Sequence, residues 1–167
     1  MKITFVMPSL ESYSGGIRVI VDHARHLSAR GHEVRLASER RQKPDWRRRL
    51  RHMLNPQLSY SRGNAAFEPE GLEVIDVDPE QPVTDGDLPD GDVVIAPWWE
   101  TAEPVSRLSA SKGAKVYYMQ DYGGGGQPME KLVESWRLPM TLITISPWLQ
   151  RLIEEHTGVH ADIVANA

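Results

Sequence analysis

Lys2-Ile-Thr-Phe-Val-Met7 lies at the start of the chain, a loop that ends with Gly15-Gly16 follows it, and a helical pattern then extends from Ile17 to Arg30. Residues 2–7 are apolar and rich in β-forming types, as expected for a buried parallel strand. Apolar residues then recur at the spacing of one helical face, namely Ile17, Ile20, Val21, Ala24 and Leu27. Gly31 stands where a helix commonly ends, and residues 33–38 have the pattern of a second strand. The opening is therefore predicted to be a βαβ unit.

The first strand-to-helix turn contains a glycine pair, Gly15-Gly16. Amide groups at a helix N-terminus lack partners and carry partial positive charge, and a glycine lets an anion approach the backbone closely. One interpretation of this turn is therefore a site for a phosphate or diphosphate. The other interpretation is that the glycines only allow a tight turn. The turn contains neither the dinucleotide fingerprint nor the P-loop motif, because the glycine spacing of both is missing.

Strand patterns alternate with helix patterns along the rest of the chain. Further strands are predicted at residues 71–77, 92–96, 114–119, 141–145 and 162–165. One helix is predicted to start at Thr101 and to close at Gly113, and another to cover residues 128–136. This alternation predicts one α/β domain over residues 1–167, with a Rossmann-like doubly wound, mostly parallel sheet and helices on both faces.

A last helix is predicted to follow the capping pair Ser146-Pro147 and to end at Gly158. Its apolar positions are predicted to be buried, and they are Trp148, Leu149, Leu152 and Ile153. Ser146 follows a strand, but its position before a helix favours the role of a helix cap.

Ligands of doubly wound sheets bind outside the carboxyl ends of the strands, near the point where the strand order reverses. The candidate site residues of this chain all follow predicted strands, and they are Gly15, Gly16, Trp98, Trp99, Glu100, Gln120, Asp121 and Tyr122. The two tryptophans are interpreted either as stacking on a sugar or nucleobase or as part of the core. The glycine run at 123–126 is interpreted as a mobile loop or as room for a ligand.

Composition limits the classes of function. The 167 residues contain no cysteine, which excludes disulfides and thiolate metal sites and fits a cytoplasmic protein. No apolar run approaches the roughly 20 residues that cross a bilayer, and no signal peptide is visible. These features predict a cytoplasmic protein.

Charge is distributed unevenly, although the net charge is −4. Seven basic and two acidic residues lie between Glu39 and His52, and a short amphipathic helix is predicted there. The segment Arg40–Arg51 is interpreted as contacting an anionic membrane surface or as a solvated helix docked by Trp46. Nucleic acid is electrostatically conceivable, but the net acidic charge disfavours it. Residues 55–70 are predicted to be a loop that is either functional or disordered.

The opening run resembles the start of a family 4 glycosyltransferase of the GT-B fold, through Met7-Pro-Ser9, Gly15-Gly-Ile-Arg-Val-Ile-Val-Asp22 and Leu27-Ser-Ala-Arg-Gly-His-Glu-Val34. Two later stretches agree with this resemblance. Residues 117–122 resemble the strand end where many members of the family carry His-Asp or His-Glu. Residues 142–146 and 162–166 resemble the family's strand–Ser–helix–strand ending.

The resemblance implies the amino-terminal, acceptor-side domain of a retaining enzyme that moves a sugar from a nucleotide sugar to a glycan, lipid or small molecule. It implies that Gly15 and Gly16 offer amides to the donor diphosphate. Gln120 and Asp121 would then lie beside the sugar and the acceptor. Gln120 cannot act as an acid or base, so Asp121 is the candidate catalytic residue, with a loop-bracing carboxylate as the alternative. The remaining implied substrate contacts are Trp98, Trp99, Glu100 and Tyr122.

The partners implied by the resemblance are a nucleotide-sugar donor, a glycan or lipid-linked acceptor, and a carboxyl-terminal GT-B domain that holds most of the donor. That domain is expected beyond Ala167, and the present domain alone is expected to be inactive. The protein is expected in the cytoplasm, with Arg40–Arg51 on the inner membrane face. No cofactor and no metal are expected, because His23 and His26 lack an evident third ligand.

Two alternatives stay open. The chain is then either a stand-alone half that pairs with a separate donor-binding chain, or a non-enzymatic module of Rossmann type that binds a nucleotide or another anion.

Overall fold

The computed structural model describes residues 1–7, 15–39, 71–78, 81–122 and 128–166. Within these ranges seven parallel strands form one sheet, in the order β3-β2-β1-β4-β5-β6-β7. The strands are β1 (Lys2–Val6), β2 (Glu33–Glu39), β3 (Glu73–Val77), β4 (Val93–Ala96), β5 (Ala114–Met119), β6 (Thr141–Thr144) and β7 (Ala161–Ile163). The helices are α1 (Gly15–Ala29), α2 (Trp99–Ser106), α3 (Met129–Trp136) and α4 (Pro147–Thr157), with a 3-10 turn at Ala110–Lys112.

The strand order reverses between β1 and β4. Ile3 of β1 pairs with Val34 of β2 on one side and with Val93 of β4 on the other. The chain runs outward from β1 to β3, returns to β4 beside β1, and then runs outward to β7. Helix α1, which follows β1, and helix α2, which follows β4, therefore lie on opposite faces of the sheet, and a crevice forms between their starts at the carboxyl ends of the strands.

Helices cover both faces of the sheet. Helix α1 packs on one face, in a cluster that includes Phe5, Ile20 and Leu36. Helices α2, α3 and α4 cover the other face, where Trp136 and Ile153 are fully buried. The predicted doubly wound α/β fold is thus confirmed, and the predicted strands agree with those observed to within two residues at each end.

Several helix ends follow their sequence signals. Gly31 and Gly158 have φ angles of 87° and 72°, which is the left-handed conformation expected after a helix. The Leu149 N–H donates to Oγ of Ser146 at 3.3 Å, which confirms Ser146 as an N-cap. Helix starts are therefore predictable where a capping side chain is present.

Two predicted helix starts were wrong. Helix α1 begins at Gly15, so the glycine pair forms its first turn and does not belong to the preceding loop. Helix α2 begins at Trp99 and not at Thr101, because the Thr101 hydroxyl donates back to the Trp98 carbonyl instead of capping a helix. The same helix ends at Ser106, and Gly113 follows the separate 3-10 turn.

Some predictions concern segments outside the described residues. They are the membrane-contacting role of Arg40–Arg51, the loop at 55–70 and the glycine run at 123–126. Of the helices in the described ranges, none is long and apolar enough to cross a membrane.

Candidate functional site

A cleft of about 750 Å³ opens at the carboxyl ends of the strands, where the strand order reverses. The first turn of α1, the connection from β4 to α2 and the residues after β5 border it. Its lining includes Gly15, Gly16, Trp98, Trp99, Gln120 and Asp121. Candidates from three loops, far apart in sequence, therefore meet in one place, as the topology of the sheet requires.

Gly15 and Gly16 border the cleft in different ways. Neither has a positive φ, so the backbone conformation does not by itself require glycine at either position. A Cβ added at Gly15 would meet no atom of the described residues within 4 Å, so this residue borders open space in that part of the structure. A Cβ added at Gly16 would lie 3.2 Å from Cη2 of Trp98. Gly16 therefore allows the indole to lie against the start of α1.

The N-terminus of α1 gives this side of the cleft a positive character. The helix has 15 residues, and its first turn contains no acidic side chain. The partial positive charge of its first amides is therefore not compensated by a carboxylate within that turn. An anionic group entering the cleft beside Gly15 would meet this charge, and among the described residues no atom occupies the position of a Gly15 Cβ.

The two tryptophans after β4 belong partly to the core and partly to the cleft. Trp98 packs against the cluster under α1, whereas Trp99 packs against the cluster on the opposite face of the sheet. Both rings also line the cleft. The Trp99 indole nitrogen is buried without a hydrogen-bond partner, an arrangement that is uncommon for a buried donor. Each ring therefore packs on the core and also borders the cleft, and its stacking on a ligand stays a prediction.

Gln120 links the end of β5 to the start of α1. Its Nε2 donates to the carbonyl oxygen of Gly16 at 3.4 Å, which is at the long end for a hydrogen bond. Asp121 follows at the cleft wall and is exposed. The side-chain oxygen of Gln120 also lies 3.6 Å from the position that a Cβ of Gly16 would take. The amide of Gln120 is therefore placed directly beside the helix terminus.

Glu100 and Tyr122 are not among the residues that line this cleft. Glu100 is exposed in the first turn of α2 and borders a second depression, between α2 and α3. Tyr122 is exposed and forms an edge-to-face contact with Trp148 of α4. The prediction that Trp148 is buried was wrong, because its ring lies in the first turn of α4 and packs on another exposed ring.

Tyr117 was not identified from the sequence, although it lines the cleft. Burial raises the pKa of its phenol to about 12, against the smaller effect of a hydrogen bond with Ser135. The Ser135 Oγ donates to the Tyr117 hydroxyl at 3.4 Å. Tyr117 is therefore a neutral phenol under the cleft at any physiological pH. The sequence feature that could have identified Tyr117 is its position near the carboxyl end of the strand predicted at residues 114–119.

The chain end contributes a second residue that sequence reasoning did not select. Asn166 lines the cleft, and its Oδ1 accepts a hydrogen bond from the Tyr118 hydroxyl at 2.9 Å. Burial raises the pKa of Tyr118, and the ring of His23 contacts its edge with centroids 5.8 Å apart. This contact joins the segment after β7 to the centre of the sheet.

The histidines of α1 are placed differently from each other. The Nδ1 of His23 lies 2.8 Å from the Val19 carbonyl, and His26 is exposed. In the described ranges, no three histidine, aspartate or glutamate side chains come together in a way that could hold a metal ion.

The cleft therefore combines a helix N-terminus, aromatic walls, an amide and a carboxylate. These groups can hold an anion, pack on a ring and form hydrogen bonds with hydroxyl groups. Comparison of the chain with protein-family models and with curated proteins gives no match. Its function is therefore inferred from the fold and from this cleft.

Proposed function

We propose that the chain is the amino-terminal, acceptor-side domain of a retaining glycosyltransferase of family 4 with the GT-B fold. The observation that carries this proposal is the meeting of Gly15, Trp98, Gln120 and Asp121 in one cleft at the switch point of the sheet. The resemblance of the sequence to that family supports the same assignment, because the resembling stretches supply Gly15, Gln120 and Asp121.

The donor's diphosphate would lie at the N-terminus of α1, beside Gly15. Glycosyl transfer needs stabilisation of the negative charge that develops on the leaving phosphate. Open space at the position of a Gly15 Cβ and the absence of an acidic residue from the first turn both favour an anion there.

The sugar and the acceptor would lie toward the end of β5. The carboxylate of Asp121 would accept a hydrogen bond from an acceptor hydroxyl, while Gln120 positions the sugar without exchanging a proton. Trp98 would pack on the ring of the sugar or of the nucleobase. Asp121 is the proposed catalytic residue because it is the ionisable carboxylate in the lining of the cleft.

The proposal includes a second, carboxyl-terminal domain that completes the donor site across the cleft. The nucleotide sugar is its donor, and a glycan or a lipid-linked glycan is its acceptor. The residues of the basic segment Arg40–Arg51 would bring the enzyme to the anionic inner face of the membrane. No cofactor is required by this chemistry.

The test is binding and hydrolysis of a panel of nucleotide sugars by the natural protein that carries this domain, with the 167-residue chain in parallel. We expect one donor to bind the natural protein and to bind the chain at least about tenfold more weakly, which is 1.4 kcal/mol. Equal affinity of the two proteins would contradict the proposed division of the site between two domains. Failure of both to bind any donor would contradict the proposed function.

Gly15→Ala makes the test specific to the diphosphate. The added methyl group meets no atom of the described residues, and alanine favours a helix over glycine. The midpoint of urea unfolding should therefore stay the same or rise slightly, while donor binding weakens about tenfold. Gly86→Ala is the matched control, because its Cβ has only Thr84 Oγ1 nearby, at 3.8 Å, and the residue does not line the cleft. Unchanged donor affinity in Gly15→Ala would place the diphosphate elsewhere.

A further inference from the structure

Two large aromatic side chains stand exposed together at the carboxyl edge of the sheet. Tyr122 is 47% exposed and Trp148 is 50% exposed. They come from different connections, since Tyr122 follows β5 and Trp148 lies in the first turn of α4 after β6. Their ring centroids are 5.3 Å apart and their planes meet at 82°. This pair is called the aromatic corner below.

The aromatic corner adjoins the cleft. Tyr122 directly follows Asp121, and Trp148 comes three residues after Ile145, and both of those neighbours line the cleft. A ligand that extends out of the cleft across the ends of β5 and β6 would therefore reach the two rings.

The corner is not needed for the core. Leu149 and Ile153 bury the apolar face of α4, and both rings of the corner keep about half of their surface in solvent. Large exposed aromatic surface is a feature of binding sites. Tyrosine and tryptophan supply rigid contact area together with a polar group at the edge of the ring, which suits ligands that are partly apolar and partly hydroxylated.

We propose that the aromatic corner binds a pyranose ring of the acceptor glycan. A pyranose has a face of C–H groups that packs on an aromatic ring, and hydroxyl groups around its edge that need polar partners. Rings that meet at 82° present two nearly perpendicular faces and not one flat patch. One ring can then pack on the face of the sugar while the other borders its edge, and Asp121 lies on the cleft side of the corner.

The choice of a glycan as the ligand rests on the proposed function, since that function names a sugar acceptor. A protein partner is the other occupant to consider. A stable protein interface buries about 800 Å² on each side, whereas the corner consists of two half-exposed rings. The size of the corner therefore matches one sugar ring better than a protein surface.

The experiment measures binding of a panel of disaccharides of glucose, galactose, mannose and N-acetylglucosamine to the protein, by saturation-transfer NMR and calorimetry. We expect at least one disaccharide to bind, and Trp148→Ala and Tyr122→Ala each to weaken its binding about tenfold. Trp148→Phe, which keeps a ring, should weaken binding less than Trp148→Ala. Ile163→Ala is the matched control, because Ile163 is an apolar side chain of similar exposure, at 41%, and does not belong to the corner.

Three results would overturn the proposal. One is that no disaccharide of the panel binds to the wild-type protein. Another is that both alanine variants bind as well as the wild type while their unfolding midpoints are unchanged. The third is a concentration-dependent dimer that Trp148→Ala dissociates and the disaccharides do not, because the corner would then be an interface between two copies.

Donor binding separates this proposal from the proposed function. The corner variants should bind nucleotide sugars as the wild type does, and Gly15→Ala should bind the disaccharide as the wild type does. If no nucleotide sugar binds but the corner variants lose the disaccharide, the corner binds glycans and the proposed function is wrong. If donors bind and disaccharide binding does not depend on the corner, the proposed function stands and the corner proposal is wrong.

Discussion

The two ends of the sheet are built in opposite ways. At the amino end, Nζ of the buried Lys112 donates to the Leu88 carbonyl and to Asp90, both at 2.8 Å. Nearby, the backbone N–H of Lys2 donates to the Asp92 carboxylate at 2.7 Å. At the carboxyl end, a long hydrogen bond from Gln120 links the end of β5 to the start of α1, and a cleft opens beside it.

This difference between the two ends of the sheet indicates that the carboxyl end has room for a ligand. The hydrogen bonds from Lys112 and then Ser111 hold the pKa of Asp90 below its usual range, so the carboxylate at the amino end is already committed to protein partners. Polar groups at the amino end of the sheet therefore contribute to stability, whereas those at the carboxyl end border the cleft. Substitutions should therefore affect stability at the amino end and binding at the carboxyl end.

The largest expected effect is the loss of stability in Gly113→Ala, at the amino end. Gly113 has a φ of 91°, and a Cβ there would lie 2.2 Å from the Asp92 carbonyl carbon. With a ψ of −166°, this backbone lies in a region that essentially only glycine adopts, which costs alanine about 1–3 kcal/mol, and relief of the clash adds about 1 kcal/mol or more. Urea unfolding should therefore show a loss of about 3 kcal/mol.

Gly31→Ala separates the two contributions to that loss. Gly31 has a similar φ of 87°, but a Cβ there would meet nothing within 4 Å. Its loss should stay near the strain alone, about 1–2 kcal/mol. If both variants lose the same free energy of unfolding, the backbone around Gly113 accommodates a methyl group. The amino end of the sheet would then be less closely packed than its contrast with the carboxyl end requires.

An intermediate effect is expected at the floor of the cleft, where Tyr117 combines a core position with the open end. Its folded-state pKa of about 12 lies above the value of about 10 in an unfolded chain. The stabilisation from the neutral phenol is therefore complete below pH 10 and is lost as the pH rises from about 10 to 12.

Tyr117→Phe removes this pH dependence. At pH 11 the wild type should have lost about 1.4 kcal/mol more of its free energy of unfolding than the variant, relative to pH 8. Urea unfolding at the two pH values measures the difference. If both proteins lose the same free energy of unfolding between pH 8 and pH 11, the phenol of Tyr117 is hydrated. Water would then enter the cleft as far as this side chain.

The sequence was sufficient for the architecture because each described strand has a clear apolar pattern, and helix patterns separate β1 from β2 and every strand from β4 to β7 from the next. A parallel sheet also brings loops after different strands to one edge, so the meeting of Gly15, Trp98 and Gln120 could be predicted without coordinates. The start of α2 could not be predicted, because a threonine hydroxyl can either cap a helix or donate to the carbonyl of a preceding residue. Thr101 does the second of these.

The aromatic corner could not be predicted either. Trp148 has the helical spacing of a buried residue, and spacing does not reveal that the first turn of α4 reaches the edge of the sheet. Likewise, the glycine motif alone did not separate the two roles of Gly15 and Gly16. That distinction depends on the position of the Trp98 ring, which is set by packing between residues distant in sequence.

The smallest expected effect on stability tests the open end itself. Gln120→Ala removes the hydrogen bond to the Gly16 carbonyl, which is long at 3.4 Å, and should cost about 0.5 kcal/mol or less. Gln150→Ala is the matched control, since Nε2 of Gln150 donates to the Ala161 carbonyl at 2.7 Å and its loss should cost about 1 kcal/mol. Urea unfolding compares the two glutamine variants. If Gln120→Ala destabilises the protein as much as Gln150→Ala, the hydrogen bond at the end of β5 contributes to stability as fully as one in the core of the fold. The proposed contrast between a closed amino end and an open carboxyl end would then be wrong.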